Sequence, residues 1–449
     1  MLERYHLTKN FLGLSSCTIV AAKFASASQQ HLVPDTFYPA LAHTINTHAA
    51  LSVYVVGERG SRPCFATIRE IDFEKAVRFT NQSVENLATL MEGEFMKRFD
   101  ASVPLPLWRF IVTDDNIVIF SWHHAIADGQ SGLAVLRTLL EGLNNRDSTK
   151  HKVTDYRSFN PVEGLKLEPT LEDMMNLSVS LKTFVKEISG AFLPKSWVQR
   201  TVWTGNKVPN ATADTVKTSV RIITIPASSA SHLLALARAR KATLTSVMYV
   251  IGVVVLSRLI SARAENRKFK HISTFVDVSL RPVTKTPLTV MCEAVSSLHV
   301  RYEPLLYEFS WNCATIYATK LHKFVPNSYE NIGMLKYLFG KYEKFYRDKF
   351  GKTREGSFEL SNLGAFKTNL QDTKRAENGN WRIEEMYFSQ DDGVEGCAVK
   401  ISAVGSPNGI VTASISWGEA SFDEALGENF TKGFEEQLSD LLKENMIPN

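Results

Sequence analysis

Asn116-Ile117-Val118-Ile119-Phe120-Ser121-Trp122-His123-His124-Ala125-Ile126-Ala127-Asp128-Gly129 is the stretch around which the chain is organised. Its first five residues have the β-branched and aromatic content of a buried strand. Beyond it, Gln130 to Leu143 repeats apolar residues at helical spacing: Leu133, Val135, Leu136, Leu139, Leu140 and Leu143. Two adjacent histidines and an aspartate therefore sit in a strand-to-helix turn, held by a rigid element on each side. Histidine is the side chain most readily tuned as a general base near neutral pH. Successive residues leaving a strand point to opposite sides, so His123 and His124 are expected to do different jobs. Asp128 is placed to orient an imidazole, to brace the turn or to cap the following helix. Gly129 lets the backbone bend or approach a neighbour closely. The competing interpretation is a buried, hydrogen-bonded histidine pair without chemistry. No metal is expected, because adjacent histidines do not converge on one ion and no Cys or acidic cluster completes a shell.

His123-His124-Ala125-Ile126-Ala127-Asp128-Gly129 resembles the H-H-x-x-x-D-G signature of the chloramphenicol acetyltransferase-like superfamily. That superfamily includes plant acyl-CoA-dependent acyltransferases, peptide-synthetase condensation domains and fungal alcohol acetyltransferases, and the chain looks most like the last. Further matches spread the resemblance over most of the chain. Thr243-Leu244-Thr245 resembles the family's T-L-T-x-x-L-x-A segment. Asp277-Val278-Ser279-Leu280-Arg281-Pro282 resembles, with looser spacing, its V-D-x-R-x-P segment. Ser361-Asn362-Leu363-Gly364 resembles the S-N-L-G of the fungal enzymes. The Asp-Phe-Gly-Trp-Gly motif of the plant branch is absent; its nearest echo is Ile415-Ser416-Trp417-Gly418.

The resemblance implies an α+β architecture of two chloramphenicol acetyltransferase-like domains, mixed sheets flanked by helices, with an active-site channel between them. The expected division is an N-terminal half at 1–193, a crossover linker at 194–214 and a C-terminal half at 215–449. It implies His124 as catalytic base with Asp128, supported by His123, Gly129 and Arg281. Arg281 would pair with Asp128, and physically a buried aspartate needs a cation or several N–H donors. Ser361 hydroxyl or Asn362 amide is placed to meet an oxyanion across the channel; the alternative is a simple Asn-Gly turn. Acetyl-CoA or another acyl-CoA would be co-substrate, with no bound cofactor. Its phosphates want a basic mouth, for which Arg263, Arg267, Lys268 and Lys270 are candidates, a solvated loop being the alternative. The acceptor expected is a small hydrophobic alcohol. Two other classes remain open: a condensation-type amide-forming enzyme and a non-catalytic ligand-binding member of the fold.

Composition agrees with two sizeable cores. The 449 residues are 44% hydrophobic and 22% charged, and 51 basic against 47 acidic residues leave a net charge of +4. No basic block suggests nucleic acid. Five scattered cysteines without C-x-x-C spacing read as free thiols in a reducing compartment. Met1 to His6 has no apolar signal core. Val247 to Leu256 reads as a buried helix too short to span a bilayer. A cytosolic monomer, at most peripheral on a membrane or lipid droplet, is expected.

Along the chain, strands are expected at Ser16–Phe24, Leu107–Val112, Ile117–Ser121, Thr218–Ile225, His271–Leu280 and Ser296–Tyr302. Trp381–Phe388, Gly396–Val404 and Gly409–Trp417 read as three consecutive strands. Helices are expected at Phe37–His48, Val84–Arg98, Leu171–Leu193, Ser228–Lys241, Val247–Ile260, Glu308–Phe324, Tyr329–Phe350 and Phe422–Leu442. Either Thr243 or Thr245 would cap the apolar helix. His6, His43 and His48 read as surface or helix-end residues without chemistry.

Overall fold

The strand that delivers the motif, Ile117–Trp122, is buried at every position, as an uninterrupted apolar run requires when both sheet faces are covered. The computed structural model describes residues 1–60, 62–145, 157–192, 201–211, 217–367 and 381–444. The motif strand forms an antiparallel hairpin with Trp108–Thr113. Asn116 makes the turn in the left-handed region, φ +64°, which Asn tolerates better than most residues. On its other edge the strand pairs antiparallel with Thr18–Ser26. The first sheet runs in the order Trp381–Gln390, Thr18–Ser26, Ile117–Trp122, Trp108–Thr113, Val77–Thr80.

One member of that sheet comes from the far end of the chain. Trp381–Gln390, the first of the three consecutive strands expected near the end of the chain, crosses over and pairs Thr18 with Gln390 through to Ser26 with Trp381. It covers an edge that Thr18–Ser26 would otherwise leave open. The 215–449 segment is therefore not one contiguous spatial unit.

Helices Pro34–Thr47 and Gly129–Asn144 pack together through glycine. A Cβ on Gly142 would lie 2.9 Å from both the Cα and the carbonyl oxygen of Ala40. Backbone cannot yield as a side chain can, so the two helices would have to part. Gly142→Ala is expected to lower unfolding free energy by about 1–2 kcal/mol despite its gain in helix propensity; urea unfolding reads it.

The second sheet orders Thr218–Ile225, Val411–Gly418, Cys397–Gly405, Gly356–Ala365, His271–Ser279 and Val295–Pro304, with the short strand Val202–Trp203 added beside His271–Ser279. Gly356–Ala365 pairs parallel with both neighbours and the other main pairs are antiparallel, so the sheet is mixed. Against it lies Leu244–Ala262, whose Val, Ile and Leu residues join the second core. By length and composition this helix could cross a membrane, yet 72% of its most apolar window is buried within the protein. Thr243, not Thr245, caps it: Thr243 Oγ1 accepts from Ser246 N–H, and the Ser246 hydroxyl stands 3.0 Å from Thr243 N.

Two expected helices are broken. Leu171–Leu193 resolves into Leu171–Met174 and Leu181–Phe192, separated by extended backbone at Met175. Tyr329–Phe350 is interrupted at Phe339 and Gly340, both with positive φ, before Tyr342–Arg347 resumes. Of the expected linker, residues 194–200 and 212–214 lie outside the described residues.

Candidate active site

The two motif histidines diverge at the end of their strand. His123 turns inward and is 1% exposed, and its Nδ1 accepts the Ala125 N–H at 2.9 Å, closing the turn from within. Burial, with His124 beside it, pushes its pKa down to about 3, so it stays neutral. His123 thus points away from His124, as the divergence of neighbours on a strand implies. Trp122 completes the turn by donating its indole N–H to the Ala127 carbonyl at 2.9 Å.

His124 faces the interior of the cleft. Its Nδ1 lies 3.1 Å from Glu293 Oε2, a residue that carries no motif and was not expected. Burial opposes charge on His124, but the Glu293 carboxylate outweighs it and raises the imidazole pKa. Burial in turn pushes Glu293 up to about 7, against the pull of His124. The two groups therefore act on each other directly across that 3.1 Å contact.

Asp128 does not touch the imidazole. Its Oδ1 accepts from the Ser131 N–H at 2.8 Å, capping helix Gly129–Asn144. Arg281 grips it with both arms, Nη2 to Oδ1 at 2.9 Å and Nε to Oδ2 at 3.2 Å, with both side chains 1% exposed. Arg281 further donates to the carbonyls of Pro287 and Val290 and to the Ser131 hydroxyl. Asp128 and Arg281 thus meet although the sequence spacing is loose.

The pair also builds the loop that holds Glu293. Asp128 donates its backbone N–H to the Cys292 carbonyl, and its Oδ2 accepts from Ala294 N–H. Cys292 N–H donates to the Ser131 hydroxyl. Both flanks of Glu293 are therefore pinned to the motif. Asp128 is thus linked to His124 at one remove, through the backbone bonds on both sides of Glu293.

Gly129 has no positive φ; what matters is proximity. A Cβ there would come 2.7 Å from Leu363 Cδ2. Leu363 belongs to Gly356–Ala365, which Gln130 also binds through the Leu363 carbonyl at 2.7 Å. The same strand brings Ser361 and Asn362 to a cavity of about 50 Å³ that His124 also lines. Asn362 is occupied: its amide donates to Thr245 Oγ1, and its oxygen accepts from Gly364 N–H. Ser361 hydroxyl has no hydrogen bond among the described residues and is the better placed of the two for an oxyanion.

A second cavity, of about 400 Å³, meets the first at Thr18, His124, Asp277, Val295 and Gln390. His124 stands at the junction. The wall of the larger cavity is mainly apolar but also carries ionisable groups, Asp277, Glu359 and Lys400 among them. Glu359 accepts from Gln390 at 3.2 Å and lies 3.8 Å from Lys400 Nζ. Burial and neighbouring Glu359 raise Asp277 well above the usual carboxylate range. Cys397 also lines this wall, and burial keeps it a thiol.

Arg263, Arg267, Lys268 and Lys270 are not among the residues lining either cavity. Arg263 is paired with Asp423 at 2.9 Å, and Lys268 lies over the Phe269 ring. The histidines set aside in the sequence are less peripheral than expected. His48 is buried and bonded to Thr138. His6 stacks on His124. Because of His6 and Glu293, a carboxylate and a second histidine do surround His124, with donor atoms within 4.8 Å of one another. The imidazole planes are within 8° of parallel, so their in-plane lone pairs run side by side and do not converge. That geometry suits proton sharing better than tetrahedral ligation.

Comparison with known proteins agrees with this architecture. The profile of the alcohol acetyltransferase family matches residues 80–438. A probable alcohol acetyltransferase of Fusarium pseudograminearum, FCK4, is 24% identical over 95% of this chain and 89% of its own length. Another probable alcohol acetyltransferase, crmB of Aspergillus fumigatus, is 23% identical over 88% of each. Among solved structures, the trichothecene 15-O-acetyltransferase TRI3 of Fusarium sporotrichioides superposes with a TM-score of 0.64 at 13% identity, covering 96% of this chain and 93% of its own. VibH, a condensation enzyme, superposes with a TM-score of 0.56 at 12% identity, over 99% and 96%. The two-sheet architecture is the fold these neighbours share, and the chain belongs to the alcohol acetyltransferase family.

Proposed function

We propose that the protein transfers an acyl group, acetyl in the simplest case, from acyl-CoA to an alcohol hydroxyl by direct attack, with His124 as general base. The observation that carries this proposal is the His124–Glu293 contact at a cavity junction. Glu293 takes the Nδ1–H, which leaves Nε2 as the ring atom free to accept a proton.

In the proposed reaction, Nε2 takes the hydroxyl proton as the alcohol oxygen bonds to the thioester carbon. The carbonyl oxygen becomes an oxyanion, for which the Ser361 hydroxyl, on the cavity that His124 also lines, is the candidate donor. The C–S bond then breaks, and the imidazolium returns its proton to the departing thiolate. An ester and free CoA result. Glu293 stabilises the imidazolium meanwhile. No acyl-enzyme is needed, and burial argues against the nearby thiols as nucleophiles: Cys292 is pushed up to about 12.

The test is acceptor-dependent thiol release from acetyl-CoA over a panel of alcohols and amines. Release with alcohols, lost in His124→Ala, supports the proposal. Release with amines alone would replace it with amide formation. No release and no CoA binding by a folded protein would sink it.

Glu293→Gln separates the orienting role from the base itself. Losing the carboxylate removes what raises the His124 pKa, so the acid limb of kcat/KM is expected to move to lower pH. The same change weakens imidazolium stabilisation, lowering kcat by about 10–100-fold. A pH–rate profile measures both.

A further inference from the structure

The N-terminal helix Leu2–Phe11 carries His6 onto the ring of His124. The rings stack face to face with centroids 4.0 Å apart. Glu293 lies alongside both. One carboxylate oxygen, Oε2, takes His124 Nδ1; the other, Oε1, lies 3.6 Å from His6 Nε2. His6 Nε2 and Glu293 Oε1 are buried atoms, and neither has a hydrogen-bond partner among the described residues. A buried carboxylate oxygen left unfilled is costly. A shift of well under 1 Å would join the two facing atoms in a hydrogen bond.

We propose that His6 is a positioning residue whose Nε2–H engages Glu293 during turnover, holding Glu293 as the anion and His124 as the tautomer with Nε2 free. This proposal rests on His124 being the base. The competing state carries one proton more, taken up by Glu293 from solvent. A protonated Glu293 would donate its O–H to His124 Nδ1. The neutral ring would then carry its own proton on Nε2, and that atom could not accept the alcohol proton. A donor on Glu293 Oε1 opposes this exchange.

Burial places Glu293 where the exchange matters, near neutrality. The charged and titratable groups around it are His124, Asp128, Glu3, His6, Arg281 and Cys292. Asp128 is engaged by Arg281, and Glu3 by the amino terminus at 3.1 Å. Around His6 stand His124, Lys9, His123 and Lys400, and burial first, then these neighbours, hold His6 neutral. Lys9 is paired with Glu395, and Lys400 lies near Glu359. His6 therefore contributes an N–H dipole and a stacked ring, not a charge.

His6→Phe keeps the ring and removes the donor; His6→Gln returns an amide N–H near the position of Nε2. Two measurements decide the matter. In thiol release from acetyl-CoA, His6→Phe is expected to raise the acid limb by about one pH unit, so that kcat/KM falls about tenfold at pH 6.5 and recovers above pH 9. His6→Gln is expected to restore most of the activity at pH 6.5. Long-range ¹H–¹⁵N spectra of histidine-labelled protein report the His124 tautomer without any substrate. Nδ1–H is expected in the wild type at pH 7, with Nε2–H appearing in His6→Phe. A His6→Phe protein with the wild-type tautomer and acid limb overturns the proposal. So does a loss equal at all pH values that Gln does not repair. Should the wild type transfer no acyl group, the proposed function fails, and the tautomer spectra still decide the role of His6.

Discussion

Replacing His124 with alanine is expected to lower kcat by about 10²–10⁴-fold, the span general-base catalysis supplies, with little change in thermal stability. The stability expectation follows from position. His124 side chain is 22% exposed, and its bond to Glu293 is the one that its removal breaks. The turn is closed by His123 and Trp122, which the substitution leaves alone. Residual turnover would come from holding two substrates together, which does not need the imidazole. Steady-state kinetics beside a melting curve separates the two. A variant that retains near-normal kcat would remove His124 from the chemistry, and one that fails to fold would place it among the structural residues with His123.

Arg281→Ala is expected to cost about 3–5 kcal/mol of unfolding free energy, because Asp128 would keep a buried charge without its partner. Rate should fall as well, and by a traceable route. Arg281, Asp128 and Ser131 together fix Cys292 and Ala294, the two neighbours of Glu293. When they relax, the carboxylate loses its place and His124 its orientation. Arg281→Lys should recover only part of the loss, because an ammonium cannot reproduce the two-armed grip on Asp128 and the reach to the Pro287 and Val290 carbonyls. Urea unfolding and kcat of the two variants test this. Wild-type melting and rate in Arg281→Ala would dismiss both the pair and its link to Glu293.

Much of this architecture is legible in the residues. The motif strand follows from a continuous β-branched and aromatic run and its helix from apolar residues at a period of 3.6, and the inward turn of His123 from alternation along a strand. The Asp128–Arg281 pair follows from the need of a buried aspartate for a cation, once a resemblance points to Arg281. Glu293 was not legible. Met291-Cys292-Glu293-Ala294 has no periodicity and no motif, and its burial depends on backbone bonds to Asp128 that only the folded chain creates. His6 was hidden for a related reason. Its helix buries just Leu2, Leu7 and Asn10, which makes no apolar stripe, so nothing local marks one face as inward. The crossing of Trp381–Gln390 was missed because a strand's own residues specify that it pairs, not with which partner. The break at Phe339 and Gly340 was missed because Lys- and Tyr-rich residues on both sides continue a helical rhythm that the left-handed backbone interrupts.

The strand Trp381–Gln390 also sets the order in which the protein can be completed on the ribosome. Ser15 hydroxyl bonds to Asp391, 376 positions further along, immediately after Thr18 meets Gln390. Until that strand emerges, Thr18–Ser26 is an open edge, a template for pairing with another chain. Synthesis near 5–20 residues per second leaves that edge waiting for tens of seconds. A chain stopped before residue 381 would hold the histidine motif and the Asp128–Arg281 lock but lack Gln390 and one wall of both cavities. The site is finished by nearly the last strand made, so truncated products are expected to be sticky before they are ever active.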